Sequence, residues 1–176
     1  TNKEGGDVAC SGMSTCTIIK TSFRGNDKSL DPLSGMYGTL LPSKGGAISV
    51  VGGSVAYISD TTFNTTYTKI GGGALHISYS SLYMKNVEID GSHSNKGAGL
   101  LLENAIFVHL EHSTFQNCES IYDGGAIHAT DSNVIAEKLK FLNNKAGIFG
   151  GAILVSEKAS LNMTSSTFNG NIAWLG

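Results

Sequence analysis

The sequence predicts an all-β fold: a right-handed parallel β-helix, or β-solenoid, of about five to six coils with ~26 residues per coil. Three observations predict it. A glycine motif begins at Gly45, Gly72, Gly97 (here as Gly97-Ala98-Gly99), Gly124 and Gly150, at spacings of 27, 25, 27 and 26 residues. A second marker, at Phe63, Ile89, Phe115, Phe141 and Phe168, is spaced by 26, 26, 26 and 27. Between the markers the apolar residues alternate, which places one face of each short strand in a core.

Within one coil the elements follow in order. The glycine corner comes first, as Gly45-Gly46, Gly72-Gly73, Gly124-Gly125 and Gly150-Gly151. Glycine fits a corner where φ is positive or where no Cβ has room. Ala47, Ala74, Ala126 and Ala152 follow it, as expected where the corner interior is tight. A first strand carries Ile48/Val50, Leu75/Ile77, Leu100/Leu102, Ile127/Ala129 and Ile153/Val155. A second carries Ala56/Ile58, Leu82/Met84, Val108/Leu110, Val134/Ala136 and Leu161/Met163, and the Phe marker closes the pattern. Each repeat is therefore read as two or three short strands. Such a unit cannot bury its own apolar face, but stacked copies can, with equivalent strands parallel and about 4.8 Å apart. The expected product is a rod roughly 25–30 Å long. Inside it run a Phe ladder at Phe23, Phe63, Phe115, Phe141 and Phe168, with Ile89 in one rung. Asn26, Asn144 and Asn171 stand three residues after a Phe and are expected at left-handed corners, with amides bonding the next coil.

The start of the chain fits the same frame, since Cys16 and Ile18 precede Phe23 at the standard offsets. The excess before the next repeat lies in residues 27–44, which hold both prolines and read as an inserted loop. Residues 1–176 thus form a single domain, and the array is expected to continue beyond Gly176.

The composition narrows the function. Only 15% of the residues are charged and the net charge is −2, against about 25% charged residues in an ordinary globular chain. A polar, uncharged surface predicts an extracellular or cell-surface protein. No basic patch points to nucleic acid, and no apolar run of about 18 residues points to a membrane span. The polar start without a Met predicts a processed product or a piece of a longer protein. Cys10 and Cys16 are close enough for a small disulfide loop, which leaves Cys118 as a buried small hydrophobe, a free thiol or an intermolecular bridge.

The Gly-Gly-Ala-Ile/Leu corners, together with Phe23-Arg-Gly-Asn26, Phe141-Leu-Asn-Asn144 and Phe168-Asn-Gly-Asn171, resemble the repeats of the chlamydial polymorphic outer membrane protein family. Similar repeats occur in large surface proteins of microbial eukaryotes. The resemblance implies a β-helical surface adhesin, whose partner is a receptor or glycan on a host or neighbouring cell, or copies of itself. Two sequons, Asn64-Thr-Thr and Asn162-Met-Thr, flank inward residues and should face solvent, which makes Asn64 and Asn162 candidate N-glycosylation sites.

Parallel β-helices also host polysaccharide lyases and hydrolases, which need acidic residues clustered on adjacent coils. The positions around Asp60, Glu88 and Asp90 give no such pair, so no catalytic residue is assigned and no enzyme is expected. His76 and His128 share a slot two coils apart with Leu101 between them, too far to share an ion. They and the His109/Glu111/His112 cluster read as solvated surface groups, with no metal and no cofactor. Thr61, Thr62, Thr65, Thr66 and Thr68 form a patch that Val87, Glu88 and Gly91 do not continue, which removes an ice-binding array. The leading expectation is a non-enzymatic adhesin or display rod with the 27–44 insertion as a contact surface. The alternatives are a subunit of an extracellular filament built by end-to-end or lateral stacking, and, last, a carbohydrate-active enzyme.

Overall fold

The structure is a computed structural model that describes residues 7–25 and 44–175. Most of the insertion and Asn26 lie outside the described residues. The described chain winds as a parallel β-helix with four faces and no helices. One coil shows the plan. Leu100–Glu103 lies on the first face, Phe107–Glu111 on the second, Thr114–Gln116 on the third and Glu119–Asp123 on the fourth. The first three faces are six-stranded parallel sheets and the fourth has four strands. The sequence frame of two or three strands per coil is corrected here, because the fourth face carries no apolar alternation to announce it. His93–Lys96 and Glu119–Asp123 are mostly polar, and only the stacking of neighbours reveals them as strands.

Register follows the markers rung by rung. Phe23 pairs with Phe63, Phe63 with Ile89, Ile89 with Phe115, Phe115 with Phe141 and Phe141 with Phe168. The rings stack where two Phe meet, with centroids 4.9, 5.3 and 4.8 Å apart. Phe63, Phe115 and Phe141 are fully buried, so each contributes a full aromatic burial of several kcal/mol on the scale of about 3–5 for truncation to Ala. Cys10 and Cys16 form a disulfide at inward positions of the first rung, in line with Val50 and Ala56 above them.

The two glycines of a corner serve different needs. Gly124 holds φ +62°, a left-handed conformation, whereas a Cβ on Gly125 would overlap the Gly151 carbonyl of the next coil. Another column of left-handed corners has no glycine in it. Lys20, Asp60, Asn86, His112, Lys138 and Ser165 form one column with φ between 48° and 54°, at about 1–2 kcal/mol per residue. The buried rows on either side hold them there.

Asn144 and Asn171 correct a second expectation. Neither is left-handed; the residues before them, Asn143 (φ 54°) and Gly170 (φ 66°), turn the corner. Asn144 points inward and is completely buried. Its Nδ2 donates to the Phe115 carbonyl (3.0 Å) and to Asn171 Oδ1 (2.9 Å), and its Oδ1 accepts the Cys118 amide (3.0 Å). Cys118 occupies the same column one coil earlier. Burial pushes its thiol up to about 12, so it is an inert part of the core.

Two inward hydroxyl columns complete the interior. Ser80, Ser113 and Ser132 each accept an amide proton from the coil below, from Ser54 (3.1 Å), Val87 (3.1 Å) and Ala105 (2.9 Å). Thr61, Thr66 and Thr68 are buried in the same manner, so most of the threonine patch is interior and not surface.

Candidate functional site

Outward positions are where a solenoid can act on other molecules. On the first face the outward column runs Ser49, His76, Leu101, His128 and Leu154. His76 and His128 are only 2% and 5% exposed, which corrects their reading as solvated groups. The cause is the glycine corner, which folds over the column. A Cβ on Gly45 would lie 3.2 Å from His76 Cβ, and one on Gly97 would lie 3.1 Å from His128 Cβ. Glycine at these corners lets the backbone close tightly on the histidine Cβ atoms.

His76 Nε2 lies 2.8 Å from Glu103 Oε2, and its Nδ1 lies 3.4 Å from Ser49 Oγ. Lys44, where the chain returns from the insertion, also binds Glu103 Oε2. The His76 hydrogen bond, more than the Lys44 charge, draws the Glu103 carboxyl down to about 2. The row Ser49–His76–Glu103 has the residue types of a hydrolytic triad. Ser49 is wholly buried, however, and no substrate carbonyl can reach its hydroxyl. The row is a buried polar clasp. At the next histidine rung the neighbour is Leu101 instead of a serine, and His128 Nδ1 has no hydrogen-bond partner among the described residues. Burial lowers the His128 pKa.

The second face is built differently. Its central outward column is Thr17, Tyr57, Tyr83, His109, Ile135 and Asn162. Tyr57 and Tyr83 stack at 5.0 Å, and Phe107 leans on Tyr83 at 5.4 Å. Tyr57, Tyr83 and Ile135 remain open, with Tyr57 45% exposed, and Phe107 is half-buried against them. The neighbouring column runs Ile19, Ser59, Lys85, Glu111, Glu137 and Thr164. Ser59 is small between two longer side chains, so a notch of about 300 Å³ opens over it, walled by Tyr57 and Tyr83. Lys85 Nζ lies 3.2 Å from Glu111. This lateral groove is the candidate functional site, and sequence reasoning missed it. The signal was present, since Tyr57, Tyr83 and His109 stand one repeat apart at outward positions.

Register also brings together a carboxylate pair that the sequence positions did not suggest, Glu111 and Glu137 on adjacent rungs. Lys85 and then His112 hold Glu111 in its charged form, so its pKa is lowered. A glycosidic general acid needs a raised one. His112 Nδ1 lies 2.9 Å from Glu111 while His109 faces Phe107, and no metal-binding group of three ligands occurs among the described residues. Of the sequon residues, Asn162 is exposed on the second face and Asn64 is half-buried on the third. No helix among the described residues is long and apolar enough to cross a membrane.

The sequence model of the family described as "right handed beta helix region" matches residues 6–173. The chain belongs to that family, and the four-faced coil is its right-handed parallel β-helix. No curated protein and no solved structure matches the chain significantly. The family covers the solenoid itself and does not reach the polymorphic outer membrane protein type that the repeats resemble.

Proposed function

We propose that this chain is a non-enzymatic β-solenoid segment that works outside the cell, in adhesion or surface display, and that it meets its partner through the second face. The observation that carries this reading is the open Tyr57–Tyr83–Phe107 ladder with the notch beside it. The core does not need these rings: they lie on the outer side of strands whose inner side is already filled by Leu82, Met84, Val108 and Leu110. Clustered exposed aromatic residues are typical of contact surfaces. The Cys10–Cys16 disulfide supports an oxidising location, and the low charge supports an extracellular one.

The test is retention of protein-coated fluorescent beads under flow, both on cultured epithelial cells and on a surface coated with the same protein. Beads carrying the protein should be retained several-fold better than albumin-coated beads, and the Tyr57→Ala/Tyr83→Ala variant should lose most of that gain. Retention equal to albumin on both surfaces would end the reading.

A further inference from the structure

We infer that the partner fitted by the second face is a second copy of this chain, packed face to face and antiparallel, with a two-fold axis between the third and fourth rungs. The inference rests on the reading of this face as the contact surface and names what covers it. The first argument is spacing. Side chains on this face recur at the rung interval of about 4.8 Å, and a second solenoid of the same chain presents the same interval, so rungs of the two copies stay in step across the whole face.

The second argument is charge. Lys85 and Glu111 sit on neighbouring rungs of one column, 3.2 Å apart. A two-fold axis lying across the rods between those rungs keeps each column opposite itself and exchanges the third rung with the fourth. Lys85 then faces Glu111 of the second copy, and Glu111 faces its Lys85, so the four charges alternate in sign around a square. The same operation places Tyr57 opposite Ile135, Tyr83 opposite His109 and Ser59, with its notch, opposite Glu137. Along the central column Tyr57 thus meets an apolar side chain, in the charged column the small Ser59 receives the long Glu137, and in the flanking column Phe107 meets Ser81. A two-fold axis along the rods does worse. It sets the charged column against the column of Ser81 and Phe107, and Glu111 would lose water against a phenyl ring.

The face measures roughly 24 by 16 Å, or about 400 Å² per copy. That is at the small end of specific interfaces, so a dissociation constant from tens to hundreds of micromolar is expected in solution. Rods displayed in number on a surface gain from multivalency. Antiparallel pairing is also the arrangement that rods reaching out from two opposed surfaces would adopt, which makes the adhesion homotypic.

Sedimentation equilibrium of the unglycosylated chain, from about 1 to 500 µM to span the expected range, tests this. The wild type should show a reversible monomer–dimer equilibrium. Lys85→Glu and Glu111→Lys should each weaken dimerisation at least ten-fold, because each sets like charges against each other across the axis. Mixing the two variants should restore a dimer, strictly a heterodimer, since every cross-pair is then opposite in sign. The internal Lys85–Glu111 pair is broken in both variants, so that recovery cannot come from repairing either monomer, and circular dichroism confirms that both are folded. A wild type that stays monomeric overturns the inference, as does a mixture of variants that fails to associate. The outcomes separate from those of the broader reading. Cell-retained beads with a monomeric protein sink self-pairing and leave adhesion to a receptor or glycan standing. A dimer with no bead retention does the reverse.

Discussion

On the first face the outward column Ser49, His76, Leu101 and His128 is at most 5% exposed, whereas on the second face Tyr57, Tyr83 and Ile135 stay open and His109 is half-buried. Both columns alternate with the core in the same way, and both stack at the same rung interval. They differ in what lies beside them. The first face is entered through a glycine corner that closes over its outer side. The second is entered through left-handed corners such as Tyr79, Asn104 and Asp131, whose side chains are exposed. Polar chemistry on the first face is therefore structural, and aromatic residues on the second are available to a partner.

The strongest way to break the comparison is to fill the corner. Gly124→Val adds a β-branched side chain at φ +62° against the Ile127 carbonyl, and should cost at least about 3 kcal/mol. A urea melt measures it, and a loss under 1 kcal/mol would mean that the corner does not clamp the column.

Glu103→Gln comes next. It leaves His76 and Lys44 without their carboxylate and should cost about 2 kcal/mol at pH 7, part of the ideal value being lost to solvent. The folded pKa of Glu103 lies below its unfolded value, at about 2 against 4.5. Its contribution is therefore full above pH 4.5 and disappears as the pH falls toward 2. Melts of wild type and variant should converge in acid; a constant gap would discard the clasp.

His128→Leu has the opposite sign. The column already takes Leu at 101 and 154, and the change removes the unpartnered buried Nδ1 at the loss of the 3.1 Å contact between Nε2 and Ser156 Oγ, whose hydroxyl keeps Thr130 as a partner. A gain of up to about 1 kcal/mol is expected at pH 7. Because burial lowers the folded pKa of His128, the wild type loses stability as the pH drops below 6.5 and the variant should lose less. Parallel pH profiles would discard burial of His128 as a source of acid sensitivity.

Tyr83→Ala should have the smallest effect on stability, about 0.5–1 kcal/mol for one exposed stack, with normal folding and lost bead retention. A large thermal shift would move the second face into the structural class.

The sequence made the coil legible because every coil has to solve the same packing problem. Gly125, Phe141 and the inward pairs repeat since each touches its own equivalent one rung away, so period and register could be read without coordinates. The Cys10–Cys16 bridge was within reach for a simpler reason, since the two stand six residues apart. The functional side was less legible. Tyr57 and Tyr83 share a period with the core, but periodicity alone does not distinguish a ring that is needed inside from one that is tolerated outside.

What the sequence determined by itself was the all-β solenoid, its ~26-residue coil and the stacking order of its rungs, because these follow from local alternation and from identity between neighbours. What only the tertiary structure decided was exposure. His76 is buried and Tyr83 is open, Asn144 turns inward beside a left-handed Asn143, and Glu103 reaches Lys44 across 59 residues of chain. Those outcomes depend on how each corner folds over its neighbours, and that is set by contacts between coils that no stretch of one strand encodes.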